Sequence, residues 1–113
     1  MAILVNKTRQ LEVLSKVEMA DTFISRLKGL LGRESLEAGS GLMIKPCNSI
    51  HCFFMKFPID VAFVDKDQRV IRVIAGMKPF STSPIVTGAK FVIEANTGEF
   101  SGKLEQGDIV EIL

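Results

Sequence analysis

At 113 residues, 47% of them hydrophobic, the chain has the length of one domain and can bury a core without disulfide or metal staples. Fourteen basic against thirteen acidic residues leave a net charge of +1, without the basic excess that marks binders of nucleic acid or anionic membranes. Cys47 and Cys52 are too few for a secreted disulfide framework, and a C-x-x-x-x-C spacing fits neither a redox pair nor a four-ligand zinc site, so two reduced thiols are expected.

The first residues, Met-Ala-Ile-Leu-Val-Asn-Lys, place no basic stretch before a short apolar run, so neither a signal peptide nor a membrane span is expected and the cytosol is the expected compartment. No Gly/Ser linker or repeat divides residues 1–113, which read as a single domain. Ala2 to Val5 and Leu11 to Leu14 flank the polar group Asn6-Lys-Thr-Arg9 and predict a β-hairpin. Asp21 and Thr22 offer capping oxygens, and Phe23, Ile24, Leu27, Leu30 and Leu31 recur at helical spacing, predicting a helix from about Thr22 to Leu31 that Gly32 stops.

Gly39 and Gly41 lie in or beside a turn before a predicted strand at Leu42 to Lys45, which Pro46 interrupts because it has no N–H to donate. Ile50 to Lys56 resumes an extended pattern, placing His51, Phe53 and Met55 on one side and Cys52, Phe54 and Lys56 on the other. After the Phe57-Pro58 corner, Ile59 to Val64 is apolar on both faces apart from Asp60, as in a central strand. A turn at Asp65 to Gln68 joins it to Arg69 to Ile74, and this hairpin is expected in the middle of the sheet. The Pro/Ser/Thr-rich stretch from Gly76 to Gly88 is long for a plain connection and reads as a flap over a site. Phe91 to Ala95 predicts a strand, Asn96 with Glu99 a capped short helix to about Leu104, and Ile109 to Leu113 a last strand. Together these elements predict a mainly β, compact barrel or sandwich, jelly-roll-like, of about seven short strands with two short helices. Phe63, Val61, Ile71, Val73, Phe91 and Ile93 are expected in one core, with Leu27 and Leu30 packed on it.

The stretch Lys45 to Asp60 holds the only histidine, both cysteines and two of four prolines, and so most of the side chains able to do chemistry at neutral pH. Its string Pro46-Cys-Asn-Ser-Ile-His51, Phe54-Met55 and Phe57-Pro-Ile-Asp60, with Gly29-Leu30, Arg33, Gly41-Leu42, Phe63 and Gly107-Asp108, resembles the family called domain of unknown function 192. The resemblance implies a mostly β, barrel-like or jelly-roll-like domain with short helices, and no established activity. It also implies a small hydroxyl residue more often than cysteine at position 52.

His51 is the candidate general base, ligand or proton switch, and Asp60 the carboxylate that would orient it; against this stands a buried structural histidine and an Asp60 that caps the Pro58 corner. Met55, Arg33 and Lys56 are candidate ligand-binding residues beside that pair. A soft metal on Cys47, Cys52, Met43, Met55 and His51 lacks a diagnostic spacing, so no metal or cofactor is assigned. The expected function is a small cytosolic binding or accessory domain with a pocket around His51 and Asp60 and a small-molecule or protein partner. The alternatives are an enzyme using His51 and Asp60 as an acid–base pair, and a purely structural or protein-interaction module.

Overall fold

A computed structural model describes residues 2–20, 33–50 and 56–113. Seven strands run through them: β1 (Ala2–Asn6), β2 (Leu11–Ala20), β3 (Ser40–Ile44), β4 (Ile59–Val64), β5 (Val70–Met77), β6 (Phe91–Asn96) and β7 (Val110–Ile112). They form one sheet in the order β5-β4-β6-β3-β2-β1-β7, antiparallel throughout except for the parallel pair β2 and β3. The sheet curls into a half-barrel whose two ends meet at one corner. There Arg69 and Ile109 form a bridge, the Val70 N–H donates to the Asp108 carbonyl at 2.8 Å, and the Gly107 N–H donates to the Val70 carbonyl at 2.7 Å. The mainly β, seven-stranded expectation thus holds.

Three expectations need correction. No helix occurs among the described residues: the predicted helix Thr22 to Leu31 lies outside them, and the predicted helix at Asn96 to Leu104 is a series of turns. Gly98 at φ +91° and Gly102 at φ +72° take left-handed conformations that end any helix. The expected capping pair is used elsewhere: the Asn96 side chain donates to the Leu36 carbonyl at 2.6 Å, and Glu99 accepts from the Gly39 N–H. Second, the β4–β5 hairpin forms in antiparallel register but sits at one end of the sheet order, because β6 inserts between β4 and β3. Of the predicted strand Ile50 to Lys56, residues 51–55 lie outside the described residues.

The third correction concerns the core, which consists of two clusters on opposite faces of the sheet. Successive strand residues face opposite ways, so Phe91, Ile93, Ala62 and Val64 join Leu4, Leu14 and Phe100 in the first cluster. Val61, Phe63 and Val92 join Leu42, Ile44 and Ile59 in the second. All six residues of β4 are buried, as both faces of that strand are covered. The second face is covered by the expected flap, whose Val86 packs into it with Ile50 and with Ala89 just after the flap. The flap is tied down by main-chain bonds from the Ser83 N–H to the Ile50 carbonyl (2.9 Å) and from the Val86 N–H to the Asn48 carbonyl (2.8 Å). Among the described residues no helix is long and apolar enough to cross a membrane.

A buried polar anchor and a close contact between strands hold the half-barrel. The fully buried Asn6 donates from Nδ2 to the Lys103 carbonyl at 2.8 Å and to Asp108 Oδ2 at 2.7 Å, while its Oδ1 accepts from the Arg9 N–H at 3.1 Å. At Gly41 the neighbouring strands come so close that a Cβ would stand 2.5 Å from Leu14 Cδ1 and 2.9 Å from the Glu94 carbonyl oxygen. Gly41→Ala is therefore expected to lower stability by about 1–3 kcal/mol in urea unfolding, the range for overpacking; an unchanged midpoint would mean that β3 can move away from β6 at no cost.

Candidate functional site

Asp60 is the described half of the expected acid–base pair, and it is 1% exposed. Its Oδ1 accepts from the Gly76 N–H at 2.9 Å, and its Oδ2 accepts from the N–H groups of Gly98 (2.9 Å) and Phe100 (3.2 Å). A carboxylate has about four acceptor positions, so one remains. Its register partner Ala95 and its neighbour Phe100 belong to the first cluster, so Asp60 faces away from the side on which Ile50 and the flap pack. It clamps the end of β5 to the turns after β6, and it does not cap the Pro58 corner. His51 and Met55, the other members of the expected pocket, lie outside the described residues.

Arg33 and Lys56 reach one patch of surface. Arg33 Nη2 stands 2.9 Å from Glu18 Oε2, and Lys56 Nζ stands 2.6 Å from Oε1 of Glu34, the residue after Arg33. Arg33 also lines a cleft of about 180 Å³ with Lys16, Glu18, Ser35 and Gly41. Both cations are about half exposed, so these pairs are screened by water and are worth little to stability. Cys47 Sγ donates to the Ser49 carbonyl at 3.1 Å; Cys52 lies outside the described residues. No group of three or more metal-ligating side chains occurs among the described residues.

One side chain that the sequence reading passed over stands out. Glu94 lies in the middle of β6, 5% exposed, with Leu42 of β3 and Val61 of β4 as its register partners on either side. The buried polar residues Asn6, Asp60 and Asp108 are each held by two or more hydrogen bonds. Glu94 has no such bond to its carboxylate among the described residues, and burial pushes its pKa up from 4.5 to about 7. It projects from the second face, the one covered by Ile50 and the flap. The available signal was one acid inside the apolar run Phe91 to Ala95, a place where a charge is expensive.

The family model described as "Uncharacterized ACR, COG1430", or DUF192, matches residues 3–112. The chain belongs to DUF192. Among its relatives is a UPF0127 protein of Pyrococcus abyssi, 34% identical over 117 residues that span 98% of this chain and 97% of the relative. Another, from Pyrococcus horikoshii, is also 34% identical, over 96% of this chain and 97% of its own length. The fold is shared with a protein of unknown function from Novosphingobium aromaticivorans, at 24% identity and a TM-score of 0.82, over 97% of this chain and 82% of that one. The resemblance to DUF192 is therefore confirmed, and no specific activity is indicated for the family.

Proposed function

We propose that this DUF192 chain is a small cytoplasmic binding or accessory domain whose ligand is met by Glu94 on the flap-covered face of the sheet. The observation that carries this reading is a carboxylate on a side chain only 5% exposed, with no donor among the described residues and its oxygens still open to solvent, and so to a ligand. Burial opposes the charge of this group, and a glutamine or leucine of similar volume would pack there at less cost. A donor brought by a ligand is the natural compensation. His51, Met55, Arg33 and Lys56, the candidates from the sequence, are proposed as further residues of this site. An enzyme is the second reading, favoured by one property: an acid that titrates near 7 is matched to proton transfer at neutral pH. In that reading Glu94 replaces Asp60 as the partner of His51, since three acceptor positions of Asp60 are already filled by main-chain donors.

Glu94→Gln tests the site in two steps. The folded value of about 7 lies above the 4.5 of an unperturbed glutamate, so the folded protein holds the proton longer than the unfolded chain. The wild type should be most stable near or below pH 4.5 as far as this group is concerned, and should lose about 3 kcal/mol as pH rises to and beyond 7. Glu94→Gln should remove that loss and be the more stable protein at pH 8. Metabolites that raise the wild-type melting temperature should then lose most of their effect on the variant. A variant less stable than wild type at every pH would make Glu94 a structural acceptor, and compounds that stabilise both proteins equally would move the binding site elsewhere.

A further inference from the structure

A second concavity lies on the opposite face from Glu94, at the end of the half-barrel where the residues following β1 and β3 meet the turn into β5 and strand β7. It has a volume of about 450 Å³, within the usual range for a small-molecule pocket. Met43 and Phe91 of the first cluster form its floor, and the half-buried Ile109 and Ile112 form an apolar wall. Its charged rim is not neutralised evenly. Lys7 Nζ stands 3.3 Å from Glu111 Oε2, so those two rim charges cancel. Asp67, the rim's other anion, stands on the turn with its own N–H bound by Asp65 Oδ1 at 2.9 Å, and its carboxylate too has no cation at ion-pairing distance among the described residues.

Lys45 differs from Lys7. It follows β3 directly, and its ammonium stands 5.8 Å from the centroid of the Phe91 ring, within the range of a cation–π contact, with no carboxylate at ion-pairing distance among the described residues. The side chain thus brings an unneutralised cation to an apolar floor, the pairing that suits a ligand with an anionic head and an apolar body. We propose that this mouth binds a small organic anion, its carboxylate on Lys45 and its apolar body against Met43, Phe91 and Ile112. The site shares no residue with the Glu94 face and stands or falls independently of it. Lys45 falls at the start of the Lys45 to Asp60 stretch, which gives that stretch a role on both faces of the sheet.

Hexanoate, hexanol and hexylammonium are suitable probes, titrated into the full chain and followed by amide chemical shifts. Hexanoate should saturate and move the amides of Met43, Phe91 and Ile112, with hexanol weaker by up to about fivefold, the factor expected of one partly exposed ion pair. Lys45→Met should abolish that difference while leaving the circular dichroism spectrum and melting temperature near wild type, and Lys45→Glu should favour hexylammonium over hexanoate. Equal binding of hexanoate and hexanol by the wild type would overturn the assignment of Lys45. Shifts confined to other parts of the chain, or no saturable binding by hexanoate, would overturn the site.

Discussion

Replacing Asp60 by alanine is expected to cost about 4 kcal/mol or more. Three main-chain donors, the N–H groups of Gly76, Gly98 and Phe100, would lose their acceptor in an interior where Asp60 itself is 1% exposed. Each orphaned donor costs about 1–3 kcal/mol, and the methyl group of alanine offers no substitute. Asp60→Asn should cost roughly half as much, because the amide oxygen can keep part of the set while its NH2 group meets another donor. Urea unfolding at pH 7 measures both. A loss below 1 kcal/mol in both variants would mean that water replaces the carboxylate without difficulty, and would reopen Asp60 as a group available for chemistry.

Phe63→Ala is the second large effect, about 3–5 kcal/mol, the range for deleting a buried aromatic side chain. Phe63 is fully buried in the second cluster, among Ile59, Val61, Leu42 and Met77. In a domain of this size the loss corresponds to a fall in melting temperature of roughly 15 °C or more. Because Val86, Ala89 and Ile50 pack on that same face, the variant should also loosen the flap, seen as faster hydrogen exchange at the Ser83 and Val86 amides. Loss of stability without faster exchange at those two amides would show that the flap is held by its main-chain bonds alone.

The parts of the fold legible in the sequence are those set by short-range pattern. Strand β4 has the limits the sequence predicts, Ile59–Val64, because an apolar run broken only by Asp60, between a proline corner and an Asp-rich turn, leaves little choice. Strand β2 was read four residues long and runs from Leu11 to Ala20, since Val13, Leu14, Val17 and Ala20 are the buried positions and do not alternate. Register shifts between Ala2 and Val5 in its pairing with β1 account for that pattern, and a bulged strand has no period of two to detect. The parallel pairing of β2 with β3 and the insertion of β6 between β3 and β4 depend on contacts far apart in sequence, which no local signal encodes. The expected helix after β6 followed a real capping motif, but Gly98 and Gly102 outweigh it.

The candidate site was legible in a similar, uneven way. The stretch Lys45 to Asp60 was recognisable by its chemistry, whereas the face each side chain takes requires the register. Asp60 and Glu94 lie on adjacent strands, yet Asp60 pairs with Ala95 and Glu94 with Val61, so a step of one residue sends the two carboxylates to opposite sides of the sheet.

The bonds that Asn6 makes to Lys103 and Asp108 also bear on how the chain is made. Translation proceeds from the amino end, so Asn6 is synthesised 102 residues before the carboxylate that receives its Nδ2 hydrogen. At about 5–20 residues per second that interval is about 5–20 s, during which the nascent β1 and β2 have neither β7 nor the Asp108 carboxylate to close against. The half-barrel can therefore be completed only after the last strand clears the ribosome, and a stalled or truncated product lacking residues 108–113 would expose a buried amide and an unpaired strand edge, both signals for aggregation or degradation.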